Sequence, residues 1–413
     1  MTNQTEISAW KKGLVGVQFL FVAFGATVLV PLLIGIDPAI ALLTAGIGTL
    51  IFHLVTKGKV PIFLGSSFAF VAPIIKATEL YGLPGALSGI IGVSLVYFLM
   101  SALIKWRGVK LLAKLFPPIV VGPIILLIGL SLAGSAVKMS ETNWVLAIVS
   151  LVVATLVSIM GKGILRLISV FCGITAGYIV ALLFFNVDMS EVAKAPWIYV
   201  PHFNNFGFSW EAILYMIPVA IAPVIEHVGD VYVVNTVANK DFTQDPGLHR
   251  TLLGDGLACL FASFIGGPPV TTYSEVTGAM TVTKVTDPKV IRIAAITAIL
   301  FSILGKVNAF LHSIPEAVLG GIMLLLFGTI AGAGVLNLIH HRVDMSDIRN
   351  IAIFGITMTL GIGDACINFG TFSLNGIGLS AVVAILLNVL LPQSQYAKEK
   401  ERKEEIKEEG RKN

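Results

Sequence analysis

"GGPPVTTYSEVTGAM", Gly266 to Met280, places two adjacent prolines, four consecutive hydroxyl side chains and the carboxylate of Glu275 in a chain that is otherwise mostly hydrocarbon. Of the 413 residues, 56% are hydrophobic and only 13% are charged. A soluble domain carries roughly 25% charge. Apolar runs near 20 residues recur along the chain, each long enough to cross about 30 Å of lipid. Backbone groups in lipid need internal partners, so a chain with this many spans is an all-α polytopic membrane protein. The quoted stretch is therefore irregular backbone at membrane depth. Such backbone is tolerated only where it is buried in protein or lines a cavity.

Apolar runs between polar breaks predict fourteen transmembrane segments. With the N-terminus inside, the basic residues segregate. Lys57, Lys59, Lys105, Arg107, Lys240, Arg250, Arg292, Arg342 and Arg349 fall in inner loops, against Lys76, Lys138, Lys194 and Lys306 outside. That bias follows the positive-inside rule and places both termini in the cytoplasm. Fourteen spans divide into two halves of seven, and an odd number per half inverts one half relative to the other. The third span of the first half, "VPIFLGSSFAFVAPII" (Val60 to Ile75), is also interrupted by Gly, Pro and consecutive hydroxyls. Paired interrupted segments at matching places in two halves point to a transporter's binding site. Both stretches, rich in β-branched and aromatic residues, are expected to run extended for a few residues.

Ionisable groups inside the spans are few, and a charged carboxylate there costs about 2.5–3.5 kcal/mol on insertion scales. The deepest are Glu226 and Asp230 in "VIEHVGDV", and Glu275. Glu226 and Asp230 are spaced i, i+4 and share a helix face, whereas His227 points roughly 100° away from Glu226. Closely spaced acids make a proton-coupling group. Asp255, His53, Asp364 and Lys306 lie near predicted span ends and are expected at the interface. Cys172, Cys259 and Cys366 are dispersed in apolar surroundings, without metal-ligand spacing. No H-E-x-x-H, G-x-S-x-G or Walker sequence occurs, so neither an enzyme nor an ATP-driven pump is expected. No cofactor is expected. The tail 393–413 reads as a charged, solvated cytoplasmic end.

The chain resembles the nucleobase–ascorbate transporter family, and within it the bacterial uracil permeases. The resemblance runs through "VQFLFVAFGATVLVPLL", "GKVPIFLGSSFAF", "IEHVGDV", "DPGLHRTLLGDGL" and "TTYSEVTGAM". The family signature Q/E-N-x-G-x-x-x-x-T-R/K/G is met by Glu275, Gly278, Thr283 and Lys284, with Val276 replacing the usual Asn. The resemblance implies a seven-plus-seven inverted repeat with a core domain (13–104 and 209–311) and a gate domain (117–186 and 314–392). Short antiparallel strands in the third and tenth segments would meet near mid-membrane. It implies substrate contacts at Glu226, Glu275, Phe68, Ala26, Tyr273 and Ser274, with Asp230, Glu226 and Glu275 in proton coupling and Phe327 at the gate.

Three further departures stand out. Asp230 occupies a position often held by histidine, Phe327 one often held by tyrosine, and Ser274 one where glycine is common. The acid at 275, where purine carriers usually have glutamine, favours uracil. The expected function is import of uracil with a proton across the cytoplasmic membrane. A carrier of xanthine or another purine, and an anion transporter of the same architecture, remain as alternatives. The partners expected are uracil, a proton and the lipid bilayer. Gly-rich gate helices are compatible with a homodimer.

The predicted orientation is testable with single cysteines in a chain whose own three are removed. A membrane-impermeant maleimide added to intact cells should label Lys138→Cys. Lys240→Cys should label only after the membrane is opened, and the reverse pattern overturns the topology.

Overall fold

The computed structural model describes residues 9–108, 116–369 and 372–392. The tail expected at 393–413 lies outside them. The chain is mostly helical. In order, α1 (Ala9–Ile34) and α2 (Pro38–Val55) are followed by strand β1 (Leu64–Ser66), a 3-10 turn at Phe68–Phe70 and α3 (Val71–Arg107). Then come α4 (Pro118–Ser131), α5 (Ala133–Glu141), α6 (Trp144–Met160), α7 (Ile164–Leu167), α8 (Ser169–Phe184) and α9 (Ser190–Lys194). The remainder holds α10 (Trp210–Val219), α11 (Ile221–Ala238), α12 (Leu248–Ile265), β2 (Val270–Thr272), α13 (Ser274–Thr283), α14 (Pro288–Ser302), α15 (Gly305–His312), α16 (Glu316–His340), α17 (Ile348–Ile362), β3 (Cys366–Phe369), β4 (Phe372–Asn375) and α18 (Gly376–Leu390).

Sequence signals set the helix ends. Asp37 accepts a hydrogen bond from Ala39 N (2.8 Å) ahead of Pro38, and Asp287 does the same from Lys289 N (2.9 Å) ahead of Pro288. Each aspartate satisfies an orphan amide, and each proline fills the first position, where its missing N–H costs nothing. α3 is two helical pieces: Gly82, with φ 72° and ψ 161°, breaks it just before Pro84. The α10–α11 pair bends by 43° between Pro218 and Pro223, where each ring removes a helical N–H donor.

Among the described residues, six helices are long and apolar enough to cross a membrane, and the bent α10–α11 pair makes a seventh. α6, α8, α17 and α18 are shorter apolar helices. One group of helices packs around the strands: α12 against α2 and α3, α14 against α1 and α2, and α10 against α3. A second group packs around α16, which lies on α4, α5 and α6, with α17 against α4 and α18. Lys12 Nζ lies 2.8 Å from Asp287 and joins the starts of α1 and α14. Lys59 Nζ lies 2.5 Å from Asp245 and holds that exposed carboxyl below the usual carboxylate range.

Two sequence expectations are corrected. His53 and Asp255 are not interfacial but buried, at 3% and 0% exposure. Nearness to a helix end does not mean nearness to water when neighbouring chain covers that end. His53 Nε2 lies 3.1 Å from Ile62 O, in the segment leading to β1. Asp255 is enclosed between α11 and α12. Lys306 is tethered, donating to the carbonyls of Val192 (2.8 Å) and Ala193 (2.7 Å) in α9.

β1 and β2 come from distant parts of the chain and pair antiparallel, with Leu64 opposite Thr272, Gly65 opposite Thr271 and Ser66 opposite Val270. Gly65 is required there, because a Cβ would fall 2.4 Å from the Tyr273 ring. Gly65→Ala should therefore lower the melting temperature in detergent, with an overpacking cost of about 1–3 kcal/mol. Gly134→Ala, with open space around it, should not lower it. Equal melting of the two variants would refute the packing role.

Candidate binding site between the two broken segments

The strand pair is clamped on several sides. Ser67 N donates to Pro269 O (3.2 Å) and Tyr273 N to Phe63 O (3.1 Å), extending the ladder at both ends. From α2, Thr49 Oγ1 accepts from Leu64 N at 2.9 Å. From α3, Tyr97 Oη lies 3.2 Å from Thr271 Oγ1. Tyr273 Oη donates to Ser66 O (2.7 Å), and Thr27 Oγ1 of α1 lies 3.2 Å from the same phenol. The backbone freed from helical bonding is thus satisfied within protein, as the membrane interior demands. Beyond the strands, α3 and α13 begin with their N-termini at the site. Glu275 sits in the first turn of α13, where the helix dipole favours negative charge.

A cavity of about 680 Å³ opens beside the strands. One wall is Ser66–Ala69, Thr271–Glu275 and the α11 face from Ala222 to Tyr232. The other comes from Phe116, from α4 (Pro118 to Ile128), from α16 (Ile330 to Asn337) and from His341, which caps α16. Phe68, Glu226, Tyr273, Ser274 and Glu275 all line this one space. Glu226 and Glu275 are exposed side chains, and what they face is the cavity. Asp230 is buried one turn behind Glu226, at 7% exposure, and accepts the Ser274 hydroxyl at 2.9 and 3.0 Å to its two oxygens. It lies behind the cavity wall rather than on it. Phe327 is buried in α16 and stands edge-on to Phe68, with ring centroids 6.0 Å apart at 89°. Ala26 lies in α1, and its side chain is outside the described residues.

His227, next to Glu226, points away from the cavity. Its Nδ1 lies 2.9 Å from Asp255 Oδ2 and its Nε2 lies 2.8 Å from Thr251 Oγ1. Thr251 donates its own hydrogen to Leu248 O (2.9 Å), so it receives one from His227 Nε2.

Some lining groups were missed from sequence. α16 continues past its apolar run, through Asn337, to His340. That extension puts Asn337 and His341 on the cavity wall. Two polar residues four apart, continuing the face of an apolar helix, were the available signal. The hydroxyls of Ser66 and Thr272 are buried without a hydrogen-bond partner.

The architecture and the acid-lined cavity can now be set beside known proteins. A family model described as a permease family matches residues 11–368. The chain belongs to this permease family. It is a multi-pass membrane protein and a permease rather than an enzyme. It is 49% identical to the probable uracil permease of Pasteurella multocida, over 96% of this chain and 98% of the relative. It is 44% identical to the uracil permease of Bacillus caldolyticus, over 92% of each. The uracil permease of Escherichia coli K12 is 38% identical, over 90% of this chain and 89% of the relative. Among solved structures, SLC26A9 superposes with a TM-score of 0.70 at 10% identity, covering 92% of this chain and 65% of that one. The transmembrane domain of the cyanobacterial bicarbonate transporter BicA gives 0.62 at 15% identity, covering 93% and 98%. These two likenesses concern fold alone.

The Ser274–Asp230 contact lends itself to a double-mutant cycle. Ser274→Ala should destabilise the permease by about 1.5–3 kcal/mol, the range for a hydrogen bond to a charged group. The same change in an Asp230→Asn background should cost much less. Additive effects in chemical denaturation would show that the two side chains do not interact.

Proposed function

We propose that this permease imports uracil together with a proton across the cytoplasmic membrane. The observation that carries the reading is that Glu226 and Glu275 project into one cavity beside the paired strands. Carboxylates accept the ring N–H groups of uracil. Backbone N–H groups near the strand ends are assigned to its carbonyls. Phe68 supplies an aromatic surface for the ring, Tyr273 packs beside it, and Ala26 is assigned nearby on α1. A site built of paired polar groups rejects analogues that leave one group unpaired. Relatives named uracil permeases at 38–49% identity support this choice of substrate.

Asp230 is assigned to proton coupling. It shares a helix face with Glu226 and is held by Ser274, so a proton there adjusts the charge beside the substrate without occupying the substrate's place. The core is assigned to 13–104 and 209–311, and the gate to 117–186 and 314–392, in a seven-plus-seven inverted repeat. This division is supported by the two packing groups around the strands and around α16. The cavity extends from Phe68 to His341, next to Arg342 on the side assigned to the cytoplasm. This conformation is accordingly read as inward-facing, with the Phe68–Phe327 contact closing the outer route. The bilayer is the cytoplasmic membrane, with both termini inside. The Gly-rich gate helices are assigned a homodimer contact.

Proteoliposomes should accumulate labelled uracil when the outside is acidic and lose that accumulation when the pH gradient is collapsed. Glu226→Gln and Glu275→Gln should each cut uptake at least tenfold. Asp230→Asn should flatten the pH dependence while changing uracil binding less than either glutamate variant does. Wild-type uptake in a glutamate variant sinks the site assignment, and xanthine transport in place of uracil sinks the substrate.

A further inference from the structure

The stretch "WIYVPHFNNFGFSW", Trp197 to Trp210, leads from α9 into α10 and holds no lysine, arginine, aspartate or glutamate. Six of its fourteen residues are Trp, Tyr or Phe, against 9% of the whole chain. Its polar groups turn toward the protein. Tyr199 N donates to Ile303 O (2.8 Å), and Tyr199 Oη donates to Asp37 Oδ2 (2.7 Å). Asn204 Nδ2 donates to Gly266 O (2.9 Å), and Ser209 N donates to Ser88 Oγ (3.0 Å). The stretch is thereby tied to the ends of α14, α2 and α12 and to α3. Its large apolar groups turn the other way: Trp197 is 73% exposed, Val200 74% and Trp210 64%. Apolar surface of this extent is unfavourable in water, and exposed apolar patches mark contact with a partner or a membrane.

The helices beneath the stretch decide between the two. Ile198 bridges to Leu304, just past α14, whose Ile296 and Leu300 are exposed. The Phe206 ring lies 5.5 Å from that of Phe264, an exposed residue near the end of α12. Trp210 opens α10, and Leu214, one turn further on, is exposed as well. α12 and α14 end, and α10 begins, along this rim. The outward-turned rings therefore continue the exposed apolar sides of three helices of a multi-pass membrane protein.

We infer that Trp197–Trp210 is a membrane-surface strap, whose rings lie in the headgroup zone of the bilayer on the side assigned to the outside. Aromatic rings are enriched at this level, where an apolar body and a polar edge are both accommodated. The inward hydrogen bonds fasten the strap to the helices packed around the strand pair, so the strap holds that group at a set depth in the bilayer. The inference is independent of the solute carried. A second copy of this chain is the competing occupant of the surface, and the test separates it from lipid.

The chain has five tryptophans. Two variants, one keeping only Trp197 and one only Trp210, carry phenylalanine at the other four positions and are reconstituted in proteoliposomes. The lipids are brominated either near the headgroup end or near the methyl end of their acyl chains. Bromine near the headgroup end should quench each emission at least about twofold more than bromine near the methyl end, as for a ring at the interface. Iodide on both sides of the membrane should quench each variant much less than it quenches the same variant unfolded in denaturant. Iodide quenching equal to that of the unfolded chain places the strap in water and overturns the inference, as does stronger quenching from the deep bromines. Weak quenching by both lipid and iodide places the rings against protein and also overturns it. If lipid quenching then emerges as the protein is diluted into excess lipid, the occupant is a second copy. A spin label on Val200→Cys, in a chain whose own three cysteines are removed, leaves every tryptophan in place. Its ratio of oxygen to nickel-chelate accessibility should fall between those of Lys240→Cys in a loop and Leu300→Cys on the exposed side of α14. A ratio equal to that of Lys240→Cys overturns the inference.

Discussion

Backbone hydrogen bonding in a medium without water is the constraint on which the rest depends. A binding site in lipid needs chain that is not helical, so that side chains and peptide groups can converge on a ligand. Non-helical chain leaves amides and carbonyls that cannot stay unpaired there. The solution here is reciprocal: the unwound segment before α3 and the one before α13 satisfy each other. Leu64–Ser66 and Val270–Thr272 form a short antiparallel ladder, and Thr49, Tyr97, Thr27 and Tyr273 secure its margins. Every assigned contact near the strands takes its position from that ladder. Ser274 and Glu275 follow β2 directly, and Phe68 follows β1 after a single serine.

Much of this was legible in the sequence because its cause is compositional. Proline, glycine and hydroxyls inside an apolar frame mark broken helices, and Glu226, Asp230 and Glu275 stand out because acids are scarce there. What stayed illegible depends on tertiary cover. His53 and Asp255 look interfacial when counted from their helix ends. Their burial follows from chain that returns over them, the β1 approach in one case and α11 in the other. Asn337 was lost for a similar reason. The polar residues that end α16 resemble a loop, yet the helix continues through them and carries them along the cavity. Ser274 was read from its position, but its bond to Asp230 joins elements 44 residues apart, which no local pattern reveals.

The likeness to SLC26A9 and BicA at 10–15% identity shows how little the fold fixes the cargo. Folds host many functions, and the site decides among them. In this chain the site is acidic: within the described residues, the cavity lining includes two glutamates and neither lysine nor arginine. That composition suits a neutral heterocycle with N–H donors and is unfavourable for an anion.

The buried His227–Asp255 contact bears on this charge count. With Thr251 already giving its hydrogen to Leu248, a single proton lies between the imidazole and the carboxyl. Whether nitrogen or oxygen holds it, the couple sums to zero. Although His227 adjoins Glu226 in sequence, it therefore contributes no net monopole to the translocation route. Net charge beside the cavity is left to Glu226, Asp230 and Glu275.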